Sequence, residues 1–274
     1  MPELPEVETV VRGLKELKGK TLSHYKLYKD AWRKPVPVEK LNNLIGKKIK
    51  GVKRRAKWPA IIFEEGCLWL HLGMTGQLRL FDEGEIAPDK DKNDHLELYF
   101  TDNTMLRFRD PRRFGIVAWT EGESSEPPSS QKIGYEPFDP LWTAKQFYKD
   151  LQEQKKNIKV ILMDGKLVAG VGNIYACEAL FASKISPLRD CKAISLIDAS
   201  LLRKNIIHIL SEGIRMGGST LQDHRTAKGE IGEYQKSHKV YGKEKETCPS
   251  CHSQVIEKIQ QAGRSTFYCP HCQK

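Results

Sequence analysis

Apolar residues open the chain at helical spacing and then switch to short runs of strand length. Val7, Val10, Val11, Leu14 and Leu17 recur every three or four positions behind a proline-punctuated start, MPELPEVET, and Gly19 supplies a stop. Pro5 suits a first helical turn, where a missing N–H costs nothing. From about residue 21 to residue 119 the pattern is β: AIIF (60–63), CLWLHL (67–72), HLELYF (95–100), TMLRF (104–108) and GIVAW (115–119) are separated by polar or glycine-bearing turns. Asp102-Asn103 predicts a hairpin turn between two of these runs. Many short strands at this spacing predict a sandwich or a barrel. The acidic, Pro/Ser/Gly-containing segments 82–94 and 121–130 read as exposed loops.

After about Gly134 the period becomes helical. Phe147, Tyr148 and Leu151 pattern one helix, Ile158, Ile161 and Leu162 a second, and Ile174, Cys177 and Phe181 a third. Leu202, Ile206, Ile209, Leu210 and Ile214 form the clearest stripe. Glycine-rich, polar residues 217–239 read as a flexible loop and linker, and the tail from about Lys239 carries most of the cysteines. The fold class expected is α+β.

Composition narrows the partners. Forty-five Lys and Arg against 35 Asp and Glu leave a net charge of +10, which favours a polyanion: nucleic acid or an acidic membrane face. No apolar stretch reaches the roughly 18–20 residues of a spanning helix, and no apolar segment follows the start as in a secretory signal. Four of the seven cysteines crowd into the tail, an arrangement of an intracellular protein with a local metal site rather than of a disulfide framework.

Cys248-Pro-Ser-Cys251 and Cys269-Pro-His-Cys272 are two C-x-x-C knuckles. Four thiolates so spaced close a tetrahedral shell around one Zn2+, and a closed shell is structural rather than catalytic. A tail of about 35 residues cannot bury enough core to fold alone, so the metal supplies the missing stability. Between the knuckles, VIEKIQQAGRSTFYC predicts a β-hairpin turning at Ala262-Gly263 and carrying Arg264 at its tip. Cys67, Cys177 and Cys191 read as small buried hydrophobes.

The start of the chain offers a nucleophile. Trimming of Met1 ahead of Pro2 would leave a secondary amine, and an α-amino group, with a reference pKa of about 8, is partly unprotonated at neutral pH. Glu3 is placed to shuttle protons, and Glu6 lies in the first helical turn. Taken alone, Pro-Glu-Leu-Pro-Glu reads more readily as an ordinary helix N-terminus. KKIKGVKRRAK (47–57) holds seven cations and no acid, a solvated face or a phosphate-tracking strand, and it ends on Lys57 beside an apolar run. RFRDPRRFG (107–115) interleaves arginine with Phe108 and Phe114, as a surface loop or as a wedge for a base step. In LVAGVGNIY (167–175), Gly170 and Gly172 precede a helix. They make either a tight turn or a phosphate cradle, with the Asn173 amide helping.

Taken in order, MPELPEVET (1–9), RRAK (54–57), HLGMTG (71–76), DPRRFG (110–115), LVAGVGNIYACEALF (167–181), GGST (217–220) and the terminal C-x-x-C pair closely resemble the bacterial formamidopyrimidine-DNA glycosylases, essentially end to end. The resemblance implies a β-sandwich catalytic domain with a flanking N-terminal helix (1–133), a helix–two-turns–helix domain with a lesion-covering loop (134–237) and a zinc finger (238–274), with DNA between the halves. It implies that Pro2 attacks C1′ of a flipped nucleotide, because that carbon is unreachable inside the stacked duplex. Glu3 then protonates in base loss, Lys57 in β-elimination and Arg264 in δ-elimination, with Glu6 in the same catalytic group. Met74, Arg112 and Phe114 match the residues that fill the vacated stack, and His71, Lys155 and Asn173 match phosphate contacts. The implied protein is a cytoplasmic, nucleoid-associated bacterial monomer acting on double-stranded DNA with an oxidised purine or an abasic site.

Two departures stand out. Lys92-Asn93-Asp94-His95 replaces a KHDH-like stretch, so Asn93 serves any DNA contact there or that contact is lost, and residues 221–235 match only loosely. Two alternatives stay open. One is an endonuclease VIII-type glycosylase for oxidised pyrimidines, disfavoured by Leu4. The other is a catalytically silent damaged-DNA-binding zinc protein, disfavoured by the joint presence of Pro2, Glu3 and Lys57.

Overall fold

The computed structural model describes residues 1–29, 32–123, 126–129, 132–220 and 225–274. These form two compact units, Met1–Ser129 with Met216–Glu233, and Ser130–Arg215 with Tyr234–Lys274.

The first unit begins with α1 (Leu4–Gly13), extended by a 3-10 turn to Leu17. Its Val7, Val10, Leu14 and Leu17 face is fully buried, as the spacing predicts, and Gly19 (φ +90) turns the chain away in a conformation that glycine adopts without strain. The strands are β1 (Leu22–Leu27), β2 (Gly51–Arg55), β3 (Trp58–Ile62), β4 (Gly66–His71), β5 (Gln77–Phe81), β6 (Asp94–Phe100), β7 (Met105–Arg109) and β8 (Ile116–Glu121), with the short helix α2 (Val38–Asn43) after β1. They make two antiparallel four-stranded sheets, β1-β6-β7-β5 and β2-β3-β4-β8. Leu96, Leu98 and Phe100 alternate inward from one sheet, Ile61, Leu68 and Leu70 from the other, into a core that α1 caps. This is the expected sandwich. Asn103 (φ +62) turns the hairpin between β6 and β7. The helix α2, whose Val38, Leu41 and Leu44 recur three residues apart, is a short element that the strand reading of residues 21–119 passed over.

Residues 217–239, read from sequence as open loop and linker, are held wherever they are described; 221–224 lie outside the described residues. Ala227 is fully buried in the sandwich core, and a Cβ on Gly13 would lie 2.7 Å from its own. The Lys228 ammonium pairs with Glu16 and Asp82, each at 2.7 Å. The alanine reaches into the core between polar neighbours, so no periodicity announces it.

In the second unit, α3 (Ala144–Gln152), α4 (Ile158–Asp164), α5 (Asn173–Ala182) and α6 (Leu196–Arg215) are followed by the hairpin β9 (Glu257–Gln261) and β10 (Arg264–Tyr268). Ala262 (φ +46) and Gly263 (φ +74) make its two-residue turn, the geometry that matches strand twist. The buried Glu178 carboxyl of α5 accepts the N–H groups of Lys239, Val240 and Tyr241 at 2.8–3.0 Å and so moors the segment leading to the cysteines. His238 is boxed by Tyr234 and Tyr241, and burial pushes its imidazole down to about 4. An unfolded histidine titrates near 6.5, so between those values the unfolded chain binds the extra proton and stability falls as pH falls from about 6.5 towards 4. His238→Leu should remove about one proton from that dependence, measured as the slope of the urea midpoint against pH.

Candidate active site

The start of α1 is fixed by two buried glutamates. Glu3 is the extended N-cap residue, and its side chain accepts from the helix backbone while its own N–H donates to Glu6 Oε2 at 2.8 Å, a reciprocal capping box. Glu6 Oε1 accepts the Ser219 N–H at 2.6 Å. Gly218 (φ +80) makes that approach available, since a Cβ there would meet Glu6 Oε1 at 2.8 Å. One carboxylate thus joins the residue after Pro2 to the GGST segment. Pro2 is buried with Met1 still attached, and Met1 is 46% exposed.

A chain of contacts leads from this helix to Lys57. Glu8 pairs with Arg54 at 2.8 Å, and Arg54 also donates to the Ala56 carbonyl at 3.0 Å. Ala56 (φ +53) and Lys57 form the turn joining β2 to β3, so the half-buried lysine stands at a hairpin tip braced against α1. Next along, the Trp58 and His71 rings lie 4.6 Å apart. His71 Nδ1 accepts the Gly73 N–H at 3.0 Å, which leaves Nε2–H as the outward donor. Burial, reinforced by the Lys57 and Arg33 charges, lowers this histidine to about 4. His71 is therefore neutral near pH 7, and a phosphate contact made through Nε2–H would be that of a neutral donor. The affinity difference between wild type and His71→Ala should stay flat from pH 5.5 to 8, as read by fluorescence anisotropy at constant ionic strength.

Two loops follow. One carries the half-buried Met74 between Gly73 and Gly76; the other exposes Arg112 and Phe114, with the guanidinium 5.0 Å from the ring centroid. Asn93 uses its backbone locally: its N–H donates to Asp91 and its carbonyl accepts the Asp110 N–H at 2.9 Å.

In the second unit, Gly172 is the extended N-cap of α5, behind Gly170 (φ +81), as a helix-terminal anion site requires. The Asn173 amide is largely engaged within the protein. Its Oδ1 accepts from the Lys159 ammonium at 2.6 Å, and its Nδ2 donates to the Ser265 carbonyl at 2.8 Å. Lys159, fully buried, also donates to Thr266 Oγ1 at 2.6 Å and is a residue that sequence reasoning missed, because it hides inside the Ile158, Ile161, Leu162 stripe. Lys155 is exposed ahead of α4, and Arg264 is exposed at the start of β10.

The Sγ atoms of Cys248, Cys251, Cys269 and Cys272 all lie within 4.8 Å of one another, and the pairs 248/272 and 251/269 are 3.8 Å apart. Zn–S bonds of about 2.3 Å at tetrahedral angles separate sulfurs by about 3.8 Å, so the quartet fits one zinc ion. His252 and His271 stand outside it.

Comparison with known proteins agrees with this geometry. Sequence models of three domains match in order: the formamidopyrimidine-DNA glycosylase N-terminal domain over residues 1–117, the formamidopyrimidine-DNA glycosylase H2TH domain over 133–225, and the zinc finger found in FPG and IleRS over 245–274. Formamidopyrimidine-DNA glycosylases of Neisseria meningitidis serogroup A and Bdellovibrio bacteriovorus are 39% and 41% identical to this chain, each over the whole of both chains. Among solved structures, a Lactococcus lactis FPG mutant in complex with Fapy-dG-containing DNA superposes with a TM-score of 0.90 at 34% identity, covering all of both chains. The FPG protein of Thermus thermophilus gives 0.86 at 36%, over 99% of this chain and 98% of that one.

A sandwich with a buried-proline start, an H2TH domain and a four-cysteine zinc finger, in this order, define a DNA glycosylase of base-excision repair. The chain belongs to the formamidopyrimidine-DNA glycosylase family.

Proposed function

We propose that the protein excises oxidised purines, 8-oxoguanine and formamidopyrimidines, from duplex DNA and cleaves the resulting abasic strand, using Pro2 as nucleophile once Met1 is trimmed. The observation that carries this is the capped start of α1, where Glu3 and Glu6 are held against the residue that bears the amine. The Pro2 nitrogen forms a bond to C1′ of the extruded nucleotide as the glycosidic bond breaks, Glu3 supplies the proton for base loss and sugar-ring opening, and an iminium results. Loss of the C2′ proton expels the 3′-phosphate, with Lys57 as proton donor; δ-elimination then expels the 5′-phosphate, with Arg264 as donor. Water regenerates the amine. Zinc takes no part in these steps and holds the finger that carries Arg264.

His71, Asn93, Lys155 and Asn173 are assigned to DNA contact, and Met74, Arg112 and Phe114 to the vacated stack. The working protein is a monomer of the bacterial cytoplasm, associated with the nucleoid; no described helix is long and apolar enough to cross a membrane. The functional divisions are 1–133, 134–237 and 238–274. The lesion class is tested by cleavage of 8-oxoguanine:C against thymine-glycol duplexes under borohydride. Preferential covalent attachment to the first supports the purine assignment, and the reverse preference replaces it with oxidised pyrimidines. Because several phosphates are neutralised by Lys and Arg, affinity should drop on the order of a thousandfold between 50 and 200 mM salt, by anisotropy titration.

A further inference from the structure

Asp110 is fully buried, yet it belongs to neither the nucleophile nor the phosphate contacts. Its Oδ1 accepts the Thr75 hydroxyl at 2.6 Å and its Oδ2 accepts the Gly115 N–H at 2.6 Å. The same Thr75 oxygen accepts the Arg112 N–H at 3.2 Å, and the Asp110 carbonyl accepts the Arg113 N–H at 3.1 Å and the His95 Nε2–H at 2.8 Å. Two glycines bring the loops into backbone contact at this point. A Cβ on Gly73 (φ +59) would lie 2.5 Å from the Phe114 carbonyl carbon, and one on Gly115 would lie 2.8 Å from the Phe108 ring and 3.0 Å from Asp110 Oδ2. Thr75 follows Met74 directly, and Gly115 follows Phe114 directly.

We infer that Asp110 is a positioning residue that locks the Met74 loop and the Arg112–Phe114 loop into one rigid plug, so that the two enter the vacated base stack together. A hydrogen bond to a carboxylate in a low-dielectric interior is strong, and a half-satisfied buried carboxylate is costly, so the loops keep one arrangement rather than moving separately. The inference rests on the assignment of Met74, Arg112 and Phe114 to the stack.

The test is a double-mutant cycle on single-turnover excision from a fully paired 8-oxoguanine:C duplex. Met74→Ala and Phe114→Ala should each slow excision about tenfold, and the double variant should fall short of the product of the two by about fivefold or more, since disabling either half disables the plug. Repeated in a Thr75→Val background, which removes the hydroxyl that joins the halves, the two effects should become multiplicative. Thr75→Ser, which keeps the hydroxyl, should restore the coupling. Asp110→Asn is the direct variant, and the threonine pair answers the question where the asparagine chain fails to fold. Coupling that persists in Thr75→Val, or is absent from the wild-type background, overturns the inference while leaving the stack-filling assignment intact. Single variants without effect overturn that assignment, and the plug with it.

Discussion

Pro2→Gly should lower borohydride-trapped protein–DNA adduct formation by on the order of a hundredfold or more, while affinity for an uncleavable abasic analogue changes little. Glycine leaves an amine at the trimmed terminus, so the expectation does not depend on removing the nitrogen. It depends on what the ring provides. A secondary amine condensing with an aldehyde-level carbon gives a permanently charged iminium, whereas a primary amine gives an imine that is an electron sink only when protonated. The ring also packs: Pro2 is buried ahead of an N-cap whose two glutamates are 3% and 2% exposed. Glycine at that position adds backbone freedom where the attacking atom must be held. Turnover equal to wild type would remove Pro2 from the mechanism. Intact mass provides a companion reading: active preparations should lack Met1, because the Met1–Pro2 amide has no nucleophilic lone pair, and full activity with Met1 retained would sink the same assignment.

Much of the framework could be read from residue order. The strand runs, the α1 stripe and the hairpin turn at Ala262-Gly263 are places where local pattern and tertiary outcome agree, because each element buries one face and each turn needs a residue tolerant of positive φ. The cysteine knuckles were legible for a similar reason: a metal site demands fixed residue types at short spacing.

The elements that could not be read share a different cause. Lys159 and Asp110 are buried charges whose partners lie far away in the chain: Thr266 for the lysine, Thr75 for the aspartate. Ala227 and Lys228 tie a glycine-rich segment to Gly13, Glu16 and Asp82, more than a hundred residues upstream. A window along the sequence registers such residues as ordinary members of a helical stripe, a basic loop or a polar linker. Gly170 and Gly172 point to Asn173 in the sequence, but its commitment to Lys159 of α4 and Ser265 of β10 follows only from the folded packing of those elements on α5. The site is therefore half local chemistry, written in motifs, and half long-range bracing, which only the assembled fold displays.

Removal of the metal should produce the second large effect. Cys248→Ser, or prolonged chelation of the wild-type protein, should release one zinc per chain and weaken DNA binding on the order of a hundredfold, through loss of one or two charge-assisted phosphate contacts and of the Arg264 hairpin. The finger has little else to stand on. Its buried cluster is Val240, Ile256, Phe267 and the ligands Cys248 and Cys269, packed on Cys177 of α5, with Cys251 and Cys272 partly buried against it. A structural zinc contributes about 10–16 kcal/mol of apparent binding energy to such a segment, far more than that cluster supplies, so the hairpin should lose its amide protection when the ion leaves. The sandwich has its own core, from Val7 through Val117, and none of the cysteine ligands belongs to it. Hydrogen exchange should accordingly show loss of protection over 245–274 with β3, β4 and β6 unchanged. Strand cleavage should shift from δ- towards β-elimination products, because Arg264 departs with the finger while Pro2 and Lys57 stay. Retention of full affinity and of the δ-product after verified zinc loss would show that the finger neither grips the DNA nor presents Arg264 to it.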